Sequence, residues 1–131
     1  MDHYVIWFDL QPGADDLGFA GALDGWLGWL AGQGRLESWE LWRRKLGFGP
    51  DGLGEFLLDI RTTDLAQLEA AFAVAATRSG EAEERHAAVY RQVRNARFGL
   101  YRDFPDPVRL SGAGPAPGGP GPAPLTPGRP A

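Results

Sequence analysis

The chain has no cysteine, which removes disulfides, thiolate nucleophiles and thiolate metal sites from consideration. Histidine is nearly as scarce, with His3 and His86 the two residues present. No H-x-H or H-x-x-x-H pair joins them, and a metal site ordinarily needs three or four converging ligands. Neither a metal nor a cofactor is therefore expected. Positive charge is in deficit: 13 Lys and Arg against 17 Asp and Glu leave a formal net charge of −4. That is the wrong sign for a general binder of nucleic acid or anionic membranes. No apolar run approaches the ~18 residues of a membrane span, and the short apolar stretch near the start lacks a signal peptide's basic leader. The expectation is a cytoplasmic protein with neither nucleic-acid nor membrane partners.

What is abundant is apolar and aromatic. Hydrophobic residues make up 44% of 131 positions, enough for one domain with a modest core, and five of them are Trp. Large aromatics at that density mark a core or an interface. The exception is the C-terminal stretch. From Ser111 to Ala131, Pro and Gly supply 13 of 21 residues, a composition that cannot bury a core and is expected to be disordered. The domain is placed at residues 1–110 and the tail at 111–131.

Within the domain the patterns read strand, helix, strand, strand, two helices, strand. Tyr4–Leu10 is aromatic and β-rich, and Gln11-Pro12-Gly13 stops it. Asp15 and Asp16 suit a helix start, where carboxylates meet free amides. One helical stripe runs through Leu17, Ala20, Leu23, Leu27 and Leu30. A second runs through Phe19, Ala22, Trp26 and Trp29, an apolar arc too wide for a helix with one side in water. Glu37–Leu46 and Glu55–Thr62 are the next strands. Asp64 and Gln67 form a capping-box pattern for a helix over Leu65–Arg78 with Leu65, Leu68 and Phe72 turned inward. After Ser79-Gly80 a further helix is predicted over Glu81–Val93, and the last strand over Arg97–Phe104. The order is βαββαβ: an α+β fold of ferredoxin-like topology, a four-stranded antiparallel sheet with helices on one face and one extra helix before the last strand.

Side-chain alternation separates the two sheet faces. Tyr4, Ile6, Phe8 and Leu10, Phe56, Leu58 and Ile60, and Phe98 and Leu100 form apolar faces that must carry the helices. The opposite face mixes Trp7 and Asp9, Asp59 and Arg61, Arg97, Gly99 and Tyr101. Pairing Ile6 with Leu100 sets Trp7 against Gly99 and Asp9 against Arg97, so large meets small and opposite charges meet.

The first strand, the Trp-bearing helix, the hairpin and the terminal Tyr101-Arg102-Asp103-Phe104-Pro105-Asp106-Pro107-Val108 resemble a family of small bacterial proteins without an assigned activity. That family is similar to the dimeric α/β-barrel superfamily, which includes antibiotic-biosynthesis monooxygenases and EthD-like proteins. The resemblance covers about residues 3–108. It implies a homodimer in which the helix-free sheet faces enclose a barrel able to hold a small-molecule ligand. The superfamily's haem-degrading branch carries an Asn/Trp/His set that this sequence does not reproduce, Asn95 being its one asparagine.

The candidate site residues follow from the faces. Trp7, Trp42 and Tyr101 are ligand-binding candidates as flat walls for an aromatic substrate. Asp9 and Arg97 join them as an expected ion pair. Asp59, desolvated and without an assigned partner, is a candidate catalytic base or ligand anchor. His86 is the other catalytic candidate, a proton acceptor at a cavity mouth with an ordinary pKa near neutrality. Gly47-Phe48-Gly49-Pro50-Asp51-Gly52 matches G-x-G-x-x-G by letter, but it opens a strand and Pro50 lacks an amide, so a hairpin loop is expected. Two functions follow: a ligand-binding or purely structural dimer, or a cofactor-free monooxygenase or isomerase acting on an aromatic or polyketide-like molecule.

Overall fold

The computed structural model describes residues 1–105 and 109–110. The chain separates into two units, Met1–Tyr101 and Arg102–Ala131. The first carries the fold; the expected tail at 111–131 lies outside the described residues.

Seven elements follow in the expected order: β1 (Asp2–Leu10), α1 (Asp16–Gly32), β2 (Ser38–Arg43), β3 (Phe56–Thr62), α2 (Leu65–Ala76), α3 (Gly80–Tyr90) and β4 (Val93–Arg102). The strands form one antiparallel sheet of order β2-β3-β1-β4. Asp15 caps α1 by accepting the Gly18 amide at 2.8 Å. Asp64 caps α2 through the Gln67 amide at 2.9 Å, while Gln67 accepts from the Thr63 amide at 2.8 Å. These are the two reciprocal bonds of a capping box, and they satisfy amides the helix itself leaves open.

The helices cover the apolar sheet face. Phe8, Phe19, Leu23, Leu27, Phe56 and Leu58 are the centre of the core. Phe8 and Phe56 stack at 5.5 Å, and Phe19 packs on both. Burial of α1 draws from both sequence stripes: Phe19, Leu23, Trp26, Leu27 and Leu30 are buried, whereas Leu17 is 80% exposed. The buried arc straddles the two stripes, so the first residue of one falls off its edge. In α2 the inward positions are Leu68 and Ala71; Leu65 is exposed, and Phe72, 46% exposed, meets Tyr4 edge-on at 5.2 Å.

Two boundaries differ from the sequence reading. The last helix ends at Tyr90 and the last strand begins at Val93. The Gln11 amide donates to the Gln92 carbonyl at 2.7 Å, and the Gln11 side chain donates to the Val93 carbonyl at 3.2 Å. These bonds draw the segment into the sheet, although Val89, Tyr90 and Val93 also fit a helical spacing. Inside β4, Asn95 has φ +56°, a left-handed conformation of the kind that bulges a strand.

The glycine-rich segment after β2 is the hairpin loop to β3, as expected. Arg44 clasps it by donating to the carbonyls of Pro50 and Leu53 at 3.2 and 2.8 Å. Gly54 lies against the Phe8 backbone where any Cβ would collide.

Candidate functional site

The sheet divides the candidate residues into two groups that do not meet. On the helix-free face, β1 and β3 pair so that Val5 stands opposite Asp59 and Trp7 opposite Leu57. β2 adds Glu40 beside Asp59 and Trp42 beside Leu57. Alternation therefore puts Trp42, Leu57 and Trp7 in one row and Glu40, Asp59 and Val5 in the next. Tyr101 meets Trp7 edge-on at 6.4 Å. Gly99 leaves the space the Trp7 ring occupies, since a Cβ there would stand 3.3 Å from it.

Asp59 is 6% exposed, and a buried carboxylate needs partners. Both of its oxygens lie 3.1 Å from His3 Nδ1, and Arg61 Nε stands 3.2 Å from one of them. Arg61 in turn donates to Glu40 at 2.7 Å. That bond raises the Arg61 guanidinium above its ordinary value and lowers the Glu40 carboxyl. The result is a continuous polar chain, His3–Asp59–Arg61–Glu40, beside an aromatic row.

Asp9 and Arg97 are not the expected ion pair. The Asp9 carboxylate accepts the Glu55 amide at 2.9 Å and the Asn95 side chain at 3.2 Å. Those two bonds, the Glu55 amide first, hold its pKa below the usual carboxylate value. Arg97 donates instead to the Gly52 carbonyl at 3.1 Å. Asn95 thus takes the place beside Asp9 that the sequence reading gave Arg97, and both groups serve to tie the β2–β3 loop to the sheet.

His86 lies on the other side of the sheet from Asp59. Its ring stacks on Trp26 at 4.9 Å and meets Tyr90 edge-on at 4.9 Å. It sits on the wall of a recess of about 320 Å³ between the sheet and the helices α1 and α3. Ile6, Phe8, Leu23, Leu58 and Phe98 give that recess its apolar lining. Burial lowers the imidazole pKa; Glu83 acts to raise it and Arg78 to lower it further. His86 is thus a neutral imidazole at neutral pH, able to accept a proton inside an apolar space. The recess on the helical face was not foreseen, although a proton acceptor at a cavity mouth was the reading given to His86. Likewise the sequence reading gave His3 a structural role and no place in the site; its position on the same face as Asp59, one strand away, was the available signal.

Among the described residues no group of three His, Asp or Glu could hold a metal ion, and no helix is long and apolar enough to cross a membrane.

A four-stranded antiparallel sheet with helices packed on one face defines a ferredoxin-like α+β fold. The family profile described as "Family of unknown function (DUF6614)" matches residues 1–114, and the chain belongs to that family. No curated protein matches it. Among solved structures it is similar to SnoaB, a cofactor-independent oxygenase from Streptomyces nogalater, at 15% identity and a TM-score of 0.57. That likeness covers 80% of this chain and 97% of SnoaB. It is also similar to At3g17210 from Arabidopsis thaliana, at 7% identity and a TM-score of 0.61, over 79% of this chain and 95% of that one. A dimeric ferredoxin-like protein of unknown function from Thermobifida fusca matches at 10% identity and a TM-score of 0.52, over 78% and 90%. At these identities the likeness is one of fold.

Proposed function

We propose that this protein binds a compact, largely apolar small molecule in the recess between the sheet and helices α1 and α3, as a homodimer joined through the helix-free sheet face. The observation that carries the binding reading is the recess itself: about 320 Å³, lined mainly by aliphatic and aromatic side chains, with His86 and Tyr90 as its ionisable groups. That is the composition of a small-ligand pocket, an apolar body with a few polar groups that set orientation. The dimer reading rests on Trp42 and Tyr101, 43% and 57% exposed on a face that also buries Asp59, and on the dimeric neighbour from Thermobifida fusca. A cytoplasmic setting belongs to the same reading, since the chain holds no cysteine for an oxidising compartment to use.

A second reading, a cofactor-free oxygenase or isomerase acting on an aromatic or polyketide-like substrate, is favoured by one observation. A neutral imidazole, desolvated and stacked on Trp26, is poised to take a phenolic or enolic proton. SnoaB, of like fold, is an oxygenase that needs no cofactor. In this reading His86 is the base. Asp59 and the aromatic row of Trp7, Trp42 and Tyr101 serve the dimer, because the sheet stands between them and the recess.

Native mass spectrometry of the purified protein tests both parts of the first reading. A dimer carrying an extra mass that is lost on activation supports it. Ala96, which lines the recess from β4, supplies the control: Ala96→Trp is expected to fill the space and abolish the extra mass while the dimer persists. An extra mass unchanged by Ala96→Trp places the ligand elsewhere.

A further inference from the structure

The two most exposed large apolar side chains among the described residues, Leu46 at 82% and Phe48 at 81%, stand two apart in the β2–β3 loop. Leu46 also has φ +55°, a left-handed backbone that crowds its Cβ against the following carbonyl. Backbone strain and exposed apolar surface each count against the chain in isolation. Together they mark a segment whose use lies in a contact. The pocket, the aromatic row and the polar chain do not include either residue.

The way the loop is held shows which side of the sheet it serves. Pairing continues one residue beyond β2, where the Arg44 amide donates to the Glu55 carbonyl at 2.7 Å. Alternation from Glu40 and Trp42 therefore carries the Arg44 side chain onto the helix-free face. Arg97 falls on that face too, two residues before Gly99, whose Cβ position abuts Trp7. Both guanidinium groups grip the loop: Arg44 donates to the Pro50 and Leu53 carbonyls at 3.2 and 2.8 Å, and Arg97 to the Gly52 carbonyl at 3.1 Å. A Cβ at Gly49 would collide with the Arg44 guanidinium, and Gly52 has φ +81°, so two glycines of the G-x-G-x-x-G pattern are required by this wrap. The loop is thus drawn to the helix-free side at one end of the sheet. Its carbonyls at 50, 52 and 53 already have donors, so covering it leaves none of the three unsatisfied.

We infer that the β2–β3 loop is an arm that grips a second copy of this chain, with Leu46 and Phe48 as its contact residues. This rests on the proposed homodimer through the helix-free face and adds the residues that hold the two copies together. A second copy is the occupant because the loop continues that face: Trp42, 43% exposed, stands on the strand that leads into it. In a two-fold contact each copy gives one arm and receives one. A lipid surface fits less well. The arginines beside the tip are turned into the loop's own carbonyls, Asp51 lies within the loop, and the chain carries a net charge of −4.

The test begins with the unmodified full chain, labelled by hydroxyl radicals over a dilution series whose dimer fraction is read by sedimentation velocity. Labelling of Leu46 and Phe48 is expected to fall as the dimer forms, while Leu17, 80% exposed on α1 across the sheet, stays reactive throughout. Two variants then read the contact itself. Leu46→Asn keeps the left-handed backbone, which Asn adopts more readily than Leu, and Phe48→Ser removes the ring. Each is expected to raise the dimer dissociation constant about tenfold or more, because symmetry places every substitution in the contact twice. A dimer in which both side chains stay as reactive as in the monomer, with its dissociation constant unchanged by either variant, overturns the arm and leaves the homodimer reading standing. A chain that is monomeric at every concentration overturns that reading, and this inference with it. Flotation with phosphatidylcholine–phosphatidylserine vesicles that Phe48→Ser abolishes, the dimer being unaffected, gives the tip to a lipid surface and also overturns the arm.

Discussion

His86 and Asp59 are both desolvated, yet their surroundings treat charge in opposite ways. Asp59 is surrounded by donors, His3 on one side and Arg61 on the other, so its negative charge is matched. His86 is surrounded by rings, Trp26 and Tyr90, and burial is the main cause of its lowered pKa. The folded protein therefore holds the His86 proton less readily than the unfolded chain, whose imidazole titrates near ~6.5. The sign follows from linkage: stability is complete above that value and falls as pH drops through it toward the lower folded pKa. Between pH 8 and pH 5 the melting temperature of the unmodified protein is expected to fall more than that of His86→Phe, which keeps an aromatic ring against Trp26 and has no proton to gain. Parallel melting curves for the two proteins would show that His86 is not desolvated in solution.

At the scale of single elements, capping distinguishes α2 from α3. Asp64 holds the Gln67 amide at the start of α2, whereas Ser79 at the start of α3 makes no side-chain bond. Asp64→Ala is expected to cost about 1 kcal/mol in urea unfolding, and Ser79→Ala close to nothing. The Asp64 cap was legible because it depends on residues three apart. So were the sheet faces, since alternation along one strand decides which side chains share a side, and Trp7, Trp42, Asp59 and Tyr101 fall together as expected. What was not legible depends on how elements meet. His3 reaches Asp59 across 56 residues of chain, through a β1–β3 register that no local pattern in either strand sets. Asp9 finds Asn95 in place of Arg97, and the left-handed Asn95 changes the local phase of β4. The recess depends on the spacing between α3 and the sheet, which the periodicity of α3 does not contain.

For the whole molecule, the sheet acts as a wall between two tasks. One face carries helices and the recess; the other carries Trp7, Trp42, Tyr101 and the His3–Asp59–Arg61–Glu40 chain. An exposed aromatic row beside a polar chain matched within itself, with Asp59 buried at its centre, suits a protein–protein contact: the aromatics supply area, and the matched charges limit the cost of further desolvation. If a second copy covers this face, charge placed in the row disrupts association without touching the recess. Trp42→Glu with Tyr101→Glu is expected to convert a dimer to a monomer in sedimentation velocity, because like charges from both copies would face each other across a desolvated contact. The separation of tasks adds a second requirement: in native mass spectrometry the monomeric variant should keep the extra mass that Ala96→Trp removes, because Ala96 lines the recess on the opposite face. A variant that stays dimeric moves the interface to another surface. One that becomes monomeric and also loses that mass would mean that the second copy helps to hold α3 over the sheet, and that the two faces work as one.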